Sequence, residues 1–231
     1  SIQNLVQDKN QNLDTSFTEN IKMAIQYLDQ NTDFETFDRY TFIRDYMNPI
    51  TRNWVSIRKE SGLWAGVNNK PFNFDAPTFF EKDAFNLTYF TPPVNRNTNE
   101  KQLALGKKLF FEPKLAKDGT MSCATCHIPE KAYSDGITAN LDNTGNALQR
   151  NTPTLINVAF QKSFFWDGRA ENILDQITSV FTNEQEFASS VHEFSTEILS
   201  DSTYTAMFKE AYGKVSTRNT DVIRALSTYI S

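Results

Sequence analysis

Cys123-Ala-Thr-Cys126-His127 places both cysteines of a 231-residue chain, and one of its two histidines, within five consecutive positions. Such scarce residues cluster when chemistry needs them together. Two thiols three residues apart on a turn reach the two vinyl groups of one haem and form thioethers, and an imidazole directly after the second thiol lies under the iron as its axial ligand. Three other chemistries compete for the same residues. A thioredoxin-like redox pair needs a strand-to-helix turn in an α/β setting, and no alternating strands surround this segment. A structural zinc needs four ligands, and only His192 could be added. A disulfide across two intervening residues is strained. The spacing and surroundings favour covalent haem attachment.

A haem that only carries electrons has a second protein ligand, usually a methionine or histidine. Met121 and Met207 are the residues available for that role. Met121 lies close to the anchor for a residue that must cross the haem, and Met207 falls on an apolar helix stripe with Tyr204 and Ala211. Both read as packing residues.

The elements that must position this motif are helical. Ser16-Phe-Thr-Glu19 has the form of a capping box, followed by apolar residues at Phe17, Ile21, Ala24, Ile25 and Leu28 with helical spacing. A second box, Thr32-Asp-Phe-Glu35, predicts another helix through Phe34, Phe37, Ile43 and Met47. Pro49 should break or kink it, and Ile50, Trp54 and Ile57 resume the pattern up to a stop at Gly62. Residues 63–98, with Pro71, Pro77, Pro92 and Pro93, read as an irregular connector, and a boundary is expected near 92–98. Asn99 then caps a helix through Leu103 and Leu109 that ends before Pro113. Residues 112–168 are loop-rich. Helices are expected again at 170–182, 190–200 (opened by the box Ser190-Val-His-Glu193), 202–212 (stopped by Gly213) and 219–231. The last pattern is still helical at Ser231, so the sequence is expected to be the front part of a longer protein. The expected organisation is an all-α fold: a helical N-terminal extension and connector over 1–98, and a c-type cytochrome domain with a loop-rich haem pocket over 99–231.

Composition bounds the function. The net charge of −5 argues against nucleic-acid binding, which needs a basic footprint. The 19 phenylalanines suit either an aromatic core or the lining of a large apolar cofactor pocket. No apolar run reaches membrane-spanning length, and Ser1–Asn10 is not a signal peptide.

Downstream order carries more than the haem motif. Leu103-Ala-Leu-Gly-Lys-Lys-Leu-Phe-Phe-Glu-Pro-Lys-Leu115 precedes the cysteine pair. Arg150-Asn-Thr-Pro-Thr154, Phe164-Phe-Trp-Asp-Gly-Arg-Ala170 and Thr182-Asn-Glu-Gln-Glu-Phe187 follow it. Over residues 99–231 this order resembles the N-terminal haem domain of the bacterial di-haem cytochrome c peroxidase and MauG family. The resemblance implies an enzyme that reduces hydrogen peroxide with electrons from a small cytochrome c or a cupredoxin. The alternatives it leaves are a MauG-like oxidation of a protein substrate, or a non-enzymatic electron carrier. It implies His127 as the axial ligand of the peroxidatic haem iron, with Cys123 and Cys126 as its thioethers. It also implies Trp166 as an electron relay between two haems, Gln176 as a residue of the distal pocket, and Glu186 as the distal acid/base. Asn151 resembles a ligand to a calcium ion at the domain interface. Read without the resemblance, Glu186 belongs to a solvated face, Gln176 to a helix surface and Trp166 to a core. Covalent haem attachment implies a periplasmic or exported, membrane-anchored protein, and a homodimer is among the assemblies the family allows.

There are departures from the family pattern. The loop 128–149 has no histidine where many members have one, which predicts a haem open on its distal side. Val180 and Phe181 stand where members often have proline, and His192 reads as a surface or packing residue. A second CxxCH is absent, so the second haem is expected in a C-terminal domain beyond this sequence.

Overall fold

The computed structural model describes residues 11–62, 66, 70–190, 193–215 and 219–231. Contacts divide the chain into two compact units, Ser1–Tyr89 and Phe90–Ser231. The described residues are helical, and their only strand-like pairings are isolated bridges. No described helix is long and apolar enough to cross a membrane.

In the first unit, α1 (Gln11–Gln30) packs on α2 (Asn48–Ser61). Phe17 stacks on Trp54 with ring centroids 6.2 Å apart. Ser16 does not cap α1, because the helix already runs from Gln11 with Asp14 in its first turn, where a carboxylate complements the dipole. Ala24 is buried, but Ile25 and Leu28 are exposed, so the buried stripe is narrower than the sequence predicts. The second expected start is also displaced. Asp33 uses its carboxylate on the Thr36 N–H and hydroxyl, which favours a turn, and Asp38 caps the helical turn Arg39–Thr41 instead. Pro49 does not end the pattern. The residues before it, Phe42–Met47, form a π-helix, with the Asn48 N–H donating five residues back to Ile43 O. A wider turn accommodates the missing proline N–H, and α2 continues to Gly62, whose φ of 70° closes it.

The second unit is built on α3 (Glu100–Phe110), α4 (Cys123–Cys126), α5 (Ile173–Thr182), α6 (Glu193–Ser200), α7 (Ser202–Tyr212) and α8 (Asn219–Ile230). Asn99 caps α3 in a full capping box with Gln102, as its sequence predicts. Leu105, Leu109 and Phe110 on α3 meet Val222, Ala225 and Leu226 on α8, all fully enclosed. Gly106 permits that approach, since a Cβ there would enter the Ala225 carbonyl oxygen and lie 2.9 Å from Tyr229 Cβ. α8 is buried on its polar side too, where Ser227 and Thr228 bond the amide of buried Asn95. That bond explains why the compact unit begins upstream of α3. Gly213, with φ 72°, ends α7 as expected.

Candidate functional site

The cysteine pair sits on a single helical turn. Ser122 and Thr125 form a capping box around it, and the His127 N–H closes it on Cys123 O at 2.9 Å. Both cysteines are free thiols. Burial pushes Cys123 up to about 12, with the Glu186 carboxylate adding to the effect. Cys126 rises to about 11, again from burial first and Glu186 next. The carboxylate of Glu186 is therefore within electrostatic reach of both thiols.

Behind the histidine, the chain turns back sharply. Ile128 pairs with Ser134, and Ala132 and Tyr133 both take left-handed backbone conformations at φ 58° and 56°. Such conformations are costly for residues with a Cβ and recur at functional sites. Here they bring the Tyr133 carbonyl 3.0 Å from His127 Nδ1. A backbone carbonyl can only accept, so it fixes the proton on Nδ1 and makes Nε2 the metal-binding nitrogen. Burial lowers the histidine's proton affinity, against the Tyr133 and Pro153 carbonyls and the Asp135 carboxylate, so the ring is held neutral.

Residues 152–154 brace this turn. Thr152 donates to the buried Asp135 carboxylate at 2.6 Å, Ser134 donates to Thr152 O at 2.9 Å, and Thr154 donates to Ala132 O. Burial would raise Asp135, but the Thr152 hydroxyl and the Ile137 N–H hold it below the usual carboxylate range. Sequence reasoning drew only Asn151 from this segment. Asn151 is exposed, and it is Thr152 that is buried against the site. The signal available was Ser134-Asp135-Gly136, a short way downstream of the haem motif, a turn whose carboxylate needs a donor.

The segment after α5 forms the other wall. Lys117 N donates to Phe187 O at 2.9 Å, Ser189 N to Phe181 O at 2.9 Å, and Ser189 Oγ to Leu115 O at 3.0 Å. Phe181 packs edge-on to Phe187, with centroids 5.0 Å apart. Glu186 is half-buried in this wall, not part of a solvated face. Burial raises its carboxyl, and the Asn183 amide and Arg169 partly offset that rise.

Trp166 is 95% exposed, which excludes a core anchor. It stands at the tip of a loop closed by Phe164 and Ala170, which pair through bonds of 2.8 and 3.4 Å and are themselves buried. Phe165 is left-handed at φ 62°, and the Arg169 guanidinium covers its ring at 3.6 Å. Asp167 bonds Arg169 at 2.8 Å and Arg150 at 3.4 Å. Gln176 is partly exposed on α5. Among the described residues, no hydrogen bond joins Gln176 or Trp166 to Glu186. Met121 is buried in the core and Met207 packs against it, as expected. His192 lies outside the described residues.

The donor set fits a c-type haem: two free thiols on one turn, and a neutral imidazole with its Nδ1 engaged. An all-α unit presenting that set is a c-type cytochrome domain. The model of the di-haem cytochrome c peroxidase family matches residues 100–231, and the chain belongs to that family. The methylamine utilization protein MauG of Methylorubrum extorquens is 38% identical over 122 residues, covering 53% of this chain and 34% of the relative. The cytochrome c551 peroxidase of Nitrosomonas europaea is 34% identical over 116 residues, covering 50% of this chain and 34% of the relative. A MauG-like protein associated with microbial copper homeostasis superimposes with a TM-score of 0.56 at 25% identity, over 61% of this chain and 42% of that one. The chain spans about a third of the length of the two curated relatives.

Proposed function

We propose that this chain is the peroxidatic part of a haem enzyme that reduces hydrogen peroxide to water with electrons from a small redox protein. The observation that carries the reading is Glu186: a half-buried carboxylate, raised by burial, whose charge acts on both haem-attaching thiols. Cys123, Cys126 and His127 Nε2 would hold the haem. When bound, it supplies the iron that takes up peroxide and delivers electrons to the O–O bond. Glu186 removes the proton from the inner oxygen and returns it to the leaving one, a transfer that one positioned carboxylate can make in both directions. Gln176 completes the distal side. Two electrons and two further protons convert each peroxide to two waters.

Trp166 is the proposed entry for electrons. A tryptophan is rarely exposed, and one raised on an anchored loop tip suits contact with a second haem-bearing domain. A small cytochrome c or a cupredoxin would feed that domain. Trp166→Phe is expected to slow reduction of the haem held by His127 several-fold in stopped-flow mixing with reduced donor, leaving its reaction with peroxide unchanged. Wild-type transfer rates would remove the ring from the path. Asn151, an exposed residue with a side-chain amide oxygen, is the proposed calcium ligand. A location in the periplasm or on the outer side of a membrane is the proposed one, supported by the haem-attachment motif and by membership of the family.

A second reading, oxidation of a protein substrate in the manner of MauG, is favoured by one observation: loop 128–149 has no histidine to close the haem. The as-isolated ferric protein is expected to show a five-coordinate, high-spin haem spectrum before any reduction. A bis-nitrogen, six-coordinate spectrum would defeat the open-haem reading. The electron-carrier alternative loses support because Met121 and Met207 are committed to packing.

A further inference from the structure

Two asparagines surround Glu186 that neither the haem motif nor the proposed reaction accounts for. Asn183, which follows α5, uses every polar group it has. Its N–H donates to Val180 O, and its carbonyl accepts from Glu186 N at 3.0 Å and Ala188 N at 2.9 Å. Its side-chain oxygen accepts from Gln185 N at 3.0 Å. Its side-chain Nδ2 donates to Glu186 Oε1 at 2.6 Å. Asn143 reaches the same loop from a separate turn, closed by Leu141 and Ala147 and by Asp142 accepting from Thr144 N and Asn146 N. Asn143 N donates to Gln185 O at 3.1 Å and its Nδ2 to Glu184 O at 2.8 Å. Its Oδ1 is enclosed without a partner among the described residues, so the donor to Glu184 sets the amide's orientation.

We infer that Asn183 is the positioning residue of the acid/base site, anchoring Glu186 through Oε1, while Asn143 locks the loop that carries both. The inference rests on reading Glu186 as the proton-moving group. It divides the carboxylate in two. Oε1 is tied to the Asn183 amide, and Oε2, which has no protein partner among the described residues, is left to exchange the proton. An asparagine needs only its side-chain oxygen to make the turn to Gln185. The donor to Glu186 is extra to that turn, and it is the part a purely structural asparagine would not need. Charge-assisted bonds of this length are the strong ones and favour the ionised carboxylate. The other charged or titratable groups acting on Glu186 are Arg169, from the tryptophan loop, and the thiols of Cys123 and Cys126.

Asn183→Asp tests the donor alone. It keeps the oxygen that makes the turn and replaces the N–H with a second carboxylate facing Glu186. Asn183→Ala removes both and serves as the companion variant. The readout is the rate of cyanide binding to the ferric haem-loaded protein as a function of pH. Hydrogen cyanide gives its proton to a nearby base as its carbon bonds iron, so the rate falls at low pH as that base protonates. Asn183→Asp should move this acid limb upward by more than about one pH unit, because paired carboxylates cannot both ionise. Asn183→Ala should move it upward by about one. Glu186→Gln should erase the limb. An erased limb in Glu186→Gln with an unmoved limb in both Asn183 variants would overturn the inference and leave the role of Glu186 standing. A limb that survives Glu186→Gln would overturn the reading of Glu186, and the inference with it.

Discussion

Glu186→Gln is expected to lower peroxide turnover by about 10²–10⁴-fold, the usual worth of a positioned acid/base group, with haem content and fold retained. The fold should survive because glutamine keeps an Oε1 that can accept from Asn183 Nδ2, and because amide and carboxylate have nearly the same shape. Burial is the largest influence on Glu186 and raises its carboxyl, so in the native protein the active ionised form is lost as pH falls through a value above the ordinary 4.5. The acid limb of native turnover should lie there. The effect on stability has a definite sign. A raised folded value means the folded state holds more protons than the unfolded chain between the ordinary and the raised value. Stability is therefore greatest below that window and declines as pH rises through it. Glutamine removes the titration, so the variant should lack this dependence and be no less stable near neutrality. Stopped-flow peroxide kinetics and pH-dependent denaturation check both halves. Turnover unchanged in Glu186→Gln would remove the residue from the chemistry.

What could be read from the sequence divides along physical lines. α3, α7 and α8 were legible because their burial follows helical period, and two of their ends carry residues that announce them: the Asn99 and Gln102 side chains at one start, the left-handed Gly213 backbone at one stop. The haem-holding residues were legible because the chemistry needs their spacing in the chain itself. The first unit was read less well. There, serine, threonine and aspartate had two uses, capping a helix or closing a turn, and Asp33 chose the turn. Pro49 predicts a break or a kink because its lost N–H interrupts an α-helix, and the π-turn before it absorbs that loss without ending the element. The walls of the site were hardest. Tyr133 serves through its carbonyl, and any residue type has one, so its name gives no hint. Asn143 is more than forty residues from the Glu186 loop in sequence and reaches it only through the backbone carbonyls of Glu184 and Gln185, which any residue type would offer. The exposure of Trp166 ran against its residue type. A loop closed by buried Phe164 and Ala170 carries it outward, and composition alone would have placed it inside.

The helix contact at Gly106 should be the most sensitive point of the second unit. Gly106→Ala would ordinarily stabilise a helix by about 1 kcal/mol. Here the new methyl meets the Ala225 carbonyl, a backbone atom that cannot rotate away, and Tyr229 Cβ at 2.9 Å. Relief requires α3 and α8 to separate, which opens the packing of Leu105, Leu109, Phe110, Ala225 and Leu226, all fully buried. A net loss of about 2–4 kcal/mol is expected, at or above the usual cost of overpacking a core. The damage should reach the haem. Tyr229 hydroxyl lies 2.9 Å from Tyr133 hydroxyl, Phe110 packs against both rings, and the Tyr133 carbonyl holds His127. Displacing α8 therefore loosens the group that fixes the axial imidazole. Leu103→Ala, on the exposed side of the same helix, is the control and should change stability by no more than about 0.5 kcal/mol. Chemical denaturation measures the first effect, and the iron–histidine vibration of the ferrous haem measures the second. Native stability in Gly106→Ala together with an unchanged iron–histidine signature would mean that α3 and α8 are not packed this closely. A lost iron–histidine signature with stability intact would place the strain at Tyr229 and Tyr133 alone.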